Sequence, residues 1–115
     1  MTDNIVILCT CGSPEEAEGM ARSLVEARLA ACVSVAPRVR SYYRWKGAVE
    51  SAEEHLLIIK SSRERFEALT AHIAARHSYE TPEILALPVE AGSKAYLEWL
   101  EAAVSSTAAG EAPSE

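Results

Sequence analysis

The chain predicts an α+β fold, on three observations. Two aliphatic runs, Ile5-Val6-Ile7-Leu8 and Leu56-Leu57-Ile58-Ile59, read as strands buried on both faces. Two stretches carry serine-led helix starts, and a long extended stretch between them turns back at Trp45-Lys46-Gly47. With a third aliphatic stretch as the fourth strand and a closing helix, the order is β-α-β-β-α-β-α. This is the split βαβ, or ferredoxin-like, arrangement, a sandwich in which two helices cover one face of an antiparallel sheet.

Each element has its own signal. After the first strand, Ser13-Pro14-Glu15-Glu16 supplies an N-cap serine, a proline at the first helical position and a glutamate at N3. Ala17, Met20, Ala21, Leu24 and Val25 then recur at helical spacing, predicting a helix to about Leu29. From Cys32 to about Arg44 the chain reads as extended, with Pro37 removing one ladder donor, so this strand lies at an edge or carries a bulge. Gly47 tolerates positive φ in the turn, and Ala48 to Lys60 returns as the second arm of a long β2-β3 hairpin. Ser61 with Glu64 repeats the capping-box pattern, and Phe66, Leu69 and Ile73 mark a second helix to about Arg76. Glu83 to Val89 reads as the last strand, and Gly92-Ser93 leads into a helix carrying Tyr96, Leu97 and Leu100. Residues 1–104 form one domain, and the small, polar stretch 105–115 is expected to be a disordered tail.

At 115 residues, with 49% hydrophobic and 24% charged residues, the chain has the composition of one ordinary globular domain. A formal net charge of −6 argues against a nucleic-acid partner. The aliphatic runs are far too short to span a bilayer, which takes roughly 20 apolar residues, and no secretory signal precedes Ile5, so a cytosolic protein is expected. Three cysteines, Cys9, Cys11 and Cys32, lack framework spacing and read as reduced thiols. Of 17 acidic side chains only Asp3 is an aspartate. Asp-dependent triads and Asp-rich magnesium sites therefore lack their usual part, and no nucleophile has a neighbouring base, so an enzyme is not expected.

The hairpin and the sheet suggest self-association. Arms of roughly 12 residues at about 3.3 Å each reach about 40 Å, against a diameter of about 33 Å for a domain of this size. The overhanging tip carries Tyr42, Tyr43 and Trp45, three of seven aromatics, and the uncovered face of the sheet receives half of each aliphatic run.

Three constellations bear on chemistry. Cys9-x-Cys11 places two thiols on one side of a strand, where soft thiolates suit Cu(I) or zinc, although free cysteines also serve as small buried hydrophobes. Cys32, after Leu29-Ala30-Ala31, reads as core filler. His77 lies at a helix exit, where the macrodipole favours it, close in sequence to Tyr79, Glu80 and Glu83; His72 is five residues back and His55 is isolated. Arg38, Arg40, Arg44 and Lys46 share parity with Tyr42, but Glu50, Glu53 and Glu54 on the return strand would neutralise that stripe. Other users of this topology fit poorly: the central runs hold no aromatics for stacking bases, and the thiol spacing is not Cys-x-x-Cys. Nor is there a glycine-rich phosphate cradle with an arginine of the acylphosphatase kind.

Taken together, Val6-Ile7-Leu8-Cys9-Thr10, Leu29-Ala30-Ala31-Cys32-Val33, Pro37 and Ser41-x-Tyr43-x-Trp45-x-Gly47 form a pattern with Leu57-x-Ile59-Lys60, His77-x-Tyr79-Glu80-Thr81-Pro82-Glu83-Ile84 and Tyr96-Leu97-x-Trp99. It resembles the CutA family of divalent-cation tolerance proteins from about Ile5 to Leu100. The resemblance implies a ferredoxin-like subunit, a homotrimer built through the hairpins and a likeness to PII-type signalling trimers. It also implies a role in copper tolerance, with Cys9 and His77 as ligands for a copper ion, Cu(II) or Cu(I). The chain departs from the pattern at Arg76, where some members have a second histidine, and at Ser78, where proline is usual. Two functions follow as expectations: a trimeric, non-enzymatic metal-binding protein, or a PII-like sensor or scaffold. The second would take an anionic small molecule or partner protein in clefts between subunits near Tyr79, Glu80 and Glu83.

Overall fold

The computed structural model describes residues 2–105. Of the expected tail, 105–115, all but Ser105 lies outside the described residues. Strand β1 (Asn4–Cys11) is followed by α1 (Pro14–Glu26), β2 (Cys32–Trp45), β3 (Ala48–Ser62), α2 (Phe66–Arg76), β4 (Leu85–Pro88) and α3 (Lys94–Ala103), with a short 3₁₀ turn, Arg63–Arg65, before α2. The four strands form one antiparallel sheet in the order β2-β3-β1-β4, so both aliphatic runs are central, as their two-sided apolarity requires.

Register sorts the side chains onto two faces. Ile5, Ile7, Cys9 and Cys11 of β1 and Leu57 and Ile59 of β3 are buried with Ala17, Met20 and Leu24 of α1 and Leu69 and Ile73 of α2 in one core. The intervening residues, Val6, Leu8, Leu56 and Ile58, are only partly buried, and Leu85 and Leu87, opposite Leu8 and Val6, are 57% and 49% exposed. This face is the open, apolar one that the sequence anticipates. Helix α3 closes only one end of it: Asn4 and Ser62 are paired across the strands and buried, and Asn4 Nδ2 donates to Glu101 at 3.1 Å.

The starts and stops of the elements have local causes. Ser13 Oγ accepts the Glu16 N–H at 3.1 Å and Glu16 accepts the Gly12 N–H at 3.2 Å, completing a capping box whose return bond goes one residue upstream of the cap. Helix α1 stops at Glu26, short of Leu29, because Arg28 turns left-handed (φ 60°) and the Arg28 and Leu29 N–H groups bond back to Val25 and Leu24. The second capping box does not form. Ser61 belongs to β3, is fully buried and donates to Leu29 O at 2.6 Å, so its hydroxyl ties two segments together instead of starting α2. The last strand is shorter than Glu83 to Val89, since only Leu85–Pro88 pairs with β1. Ser93 caps α3 by accepting the Tyr96 N–H at 3.2 Å.

The hairpin is long, and its partners shift between Ala36 and Val39, where Pro37 cannot donate and Arg38 has φ 65°. Strand β2 thus has both expected features, edge position and bulge. At the tip Lys46 and Gly47 both take positive φ, as a tight two-residue turn requires. The molecule measures 46 × 28 × 23 Å, its long axis exceeding what a compact sphere of this chain would give.

Candidate metal centre

Strand β1 delivers Cys9 and Cys11 to the helix-covered side, because Thr10 between them must face the other way. Helix α2 ends at Arg76, and His77 continues in extended conformation while its N–H closes the last turn on Ile73 O at 2.8 Å. That exit swings the imidazole over the end of β1. The Cys9 and Cys11 sulfurs and a His77 ring nitrogen all lie within 4.8 Å of one another, Cys11 Sγ to His77 Nε2 being 3.9 Å. Both cysteines and the His77 side chain are fully buried.

Hydrogen bonds settle the imidazole tautomer. The Tyr79 N–H donates to Nδ1 at 3.0 Å, so Nε2 carries the proton and donates to Thr10 O at 2.8 Å. Glu16 stands beside the same ring, its Oε2 3.6 Å from Nδ1. Three donors hold this carboxylate in place: Gly12 N–H, Ser78 N–H at 2.7 Å and Ser78 Oγ at 3.0 Å. Burial acts to raise the Glu16 carboxyl, but the Ser78 and Gly12 hydrogen bonds and the His77 ring outweigh it and hold it below its ordinary range. A proline at 78 would have no N–H for this contact, so the departure from the family pattern adds a tie between α1 and the His77 loop.

The two thiols act as a pair. The hydrogen bond with Cys11 raises the Cys9 thiol, and burial, the Cys11 charge and the nearby Glu83 and Glu16 carboxylates raise it further. The same hydrogen bond lowers Cys11, against burial. Tyr79 packs against His77 with the rings tilted by 50° and their centroids 4.8 Å apart, and it donates its hydroxyl to Glu54 Oε2 at 2.7 Å. Burial first, then Glu54, raises the Tyr79 phenol above its usual range.

The expected ligands Cys9 and His77 are therefore neighbours, and Tyr79 supports the ring. Glu80 and Glu83 are exposed, and Glu83 acts on the Cys9 thiol through its charge. Tyr42, Tyr43 and Trp45 stand at the hairpin tip, 71%, 43% and 55% exposed, and Tyr43 comes near enough to act electrostatically on the Tyr79 phenol. Glu54 was expected to neutralise the arginine stripe, yet it is buried under Tyr79. Arg40 does face Glu53 across the strands, but its guanidinium bonds to Ser51 Oγ at 3.5 Å. Cys32 is not core filler: it pairs with Lys60, whose ammonium lies 3.8 Å from its sulfur, on the face away from α1 and α2. Glu16 and Thr10 belong to the centre although Glu16 reads in sequence only as a helix cap.

Two sulfurs and an imidazole nitrogen are a soft donor set, suited to copper or zinc and not to magnesium or calcium, which take oxygen ligands. Fold and centre together define a ferredoxin-like α+β protein with a buried thiol–imidazole cluster. The family model described as CutA1 divalent ion tolerance protein matches residues 5–103, and the chain belongs to that family. The divalent-cation tolerance protein CutA of Pectobacterium atrosepticum is 44% identical over 104 residues, covering 90% of this chain and 94% of that protein. The chloroplastic protein CutA of Arabidopsis thaliana is 45% identical over 98 residues; the match takes in 85% of this chain but only about half of the plant protein, 54%. The crystal structure of CutA from Xylella fastidiosa superposes with a TM-score of 0.88 at 37% identity, covering 90% of this chain and 99% of that one. Among the described residues no helix is long and apolar enough to cross a membrane.

Proposed function

We propose that this protein is a non-enzymatic metal-binding homotrimer of the cation-tolerance family that holds a copper ion with Cys9 and His77. The observation that carries the reading is the convergence of these two side chains, 68 positions apart in number, at one buried soft-donor cluster. Membership in a family described by divalent-ion tolerance supports it. Three free cysteines fit a reducing compartment such as the cytosol.

Assembly is the second part of the proposal. Leu85 and Leu87 on the open face, with Tyr42, Trp45 and Val49 on the hairpin, leave large apolar side chains exposed on the protomer, the kind of surface that marks an interface. A second copy presents the same apolar face and hairpin, so copies can cover one another there. For the sensor reading, Glu80 and Glu83 are exposed carboxylates beside Tyr79, which favours a cation over an anionic small molecule there.

Titration calorimetry with copper under reducing conditions tests the site. Wild type is expected to bind, and the Cys9→Ser/His77→Ala variant to lose at least about 100-fold in affinity, the upper range seen even for supporting residues of a metal centre. Equal affinity in the two proteins would contradict the assignment.

A further inference from the structure

We propose that Cys11 is a third metal ligand, so that this chain offers its ion two sulfurs and one imidazole nitrogen where Cys9 and His77 alone would offer one of each. The inference rests on the metal-binding reading above and extends it to the donor set and the class of ion.

Geometry supplies the first support. With metal–sulfur bonds of about 2.3 Å and metal–nitrogen bonds of about 2.05 Å, sulfur and nitrogen ligands of one ion stand about 3.6 Å apart in a tetrahedron and about 3.8 Å in a trigonal plane. Cys11 Sγ and His77 Nε2 stand 3.9 Å apart, within a few tenths of an ångström of that edge. The third atom, Cys9 Sγ, lies within 4.8 Å of both. Strand parity makes this placement inherent: no rotation of the strand can bring Cys9 to the helix side without Cys11.

Chemistry supplies the second. All three side chains are fully buried, so a bound ion must exchange its water for these donors. Ions with soft, closed shells accept that exchange for thiolates, which singles out Cu(I) and Zn(II) and excludes magnesium and calcium. The surroundings of His77 suit the same role. Metal ligation needs the Nε2 that now donates to Thr10 O, so the ring proton moves to Nδ1, which gives up the Tyr79 N–H and turns to the Glu16 carboxylate 3.6 Å away. A ligating histidine commonly donates its second nitrogen to such a carboxylate.

The test uses the full chain, anaerobic and reduced, in competition with a chromophoric chelator, bicinchoninate for Cu(I) and a zinc indicator for Zn(II). Wild type, Cys11→Ser and Cys9→Ser are compared, with circular dichroism to verify the fold. The expected result is one equivalent bound by wild type, with a sulfur-to-metal absorption band in the ultraviolet for Cu(I), and a loss of at least about 100-fold in affinity for either serine variant. Whichever ion binds wild type more tightly identifies the metal. If Cys11→Ser does not fold, X-ray absorption on loaded wild type decides: two sulfur scatterers support the third ligand and one overturns it. Binding to Cys11→Ser within threefold of wild type also overturns it and leaves the Cys9–His77 reading standing, whereas a wild type that takes up neither ion overturns both.

Discussion

His72 illustrates how single side chains set the chemistry of this fold. It lies on α2 facing α1, where its Nε2 meets Ser23 Oγ at 2.9 Å; that hydroxyl donates its only proton to Met20 O, so the imidazole is the donor. Burial, then the Arg76 charge, holds His72 below its ordinary value of 6.5. A base lowered on folding stabilises the native state above its unfolded pKa and withdraws that stability as pH falls through the native one. Stability is therefore expected to decline below about pH 6.5, and less so in His72→Gln. Proton NMR titration of the His72 ring checks the cause: a midpoint at or above the ordinary value would contradict it. At this scale the sequence is informative about residue types and silent about partners. Cys9 and His77 stood out through the family pattern, and Cys11 through parity. Glu16 and Glu54 did not stand out, because a capping glutamate and a strand glutamate look alike whether or not an imidazole or a phenol is folded against them.

Elements were readable where local chemistry decides them. The strong start of α1, with serine, proline and glutamate in succession, appears where expected. The same pattern at Ser61 fails because β3 runs to Ser62, and the Ser61 hydroxyl finds Leu29 O, a long-range partner that no local pattern reveals. Arg28 and Arg38 in left-handed conformation were equally hidden, since arginine is not a residue that announces positive φ. The hairpin turn is the opposite case. Gly47 sits at φ 82° with nothing within 4 Å of where a Cβ would be, so Gly47→Ala has no clash, only a backbone penalty. It is expected to cost about 1 to 2 kcal/mol in thermal or urea unfolding, and no measurable loss would contradict the turn as described.

For the whole molecule, the topology followed from the order of hydrophobic patterns, and the overhanging hairpin from strand arithmetic; the 46 Å long axis agrees with that estimate. How copies pack is beyond such reasoning, because apolar area says that a surface must be covered and not by which symmetry. The chain's apolar open face, its exposed hairpin aromatics and its buried thiol–imidazole cluster are joined in one claim, a trimer that carries metal. Native mass spectrometry of the reduced protein, with and without copper, addresses it most directly. Three chains per particle are expected, gaining up to one copper ion per chain, with Cys9→Ser/His77→Ala remaining trimeric but metal-free. A stable single chain at micromolar concentration, or a trimer that gains no metal, would contradict it.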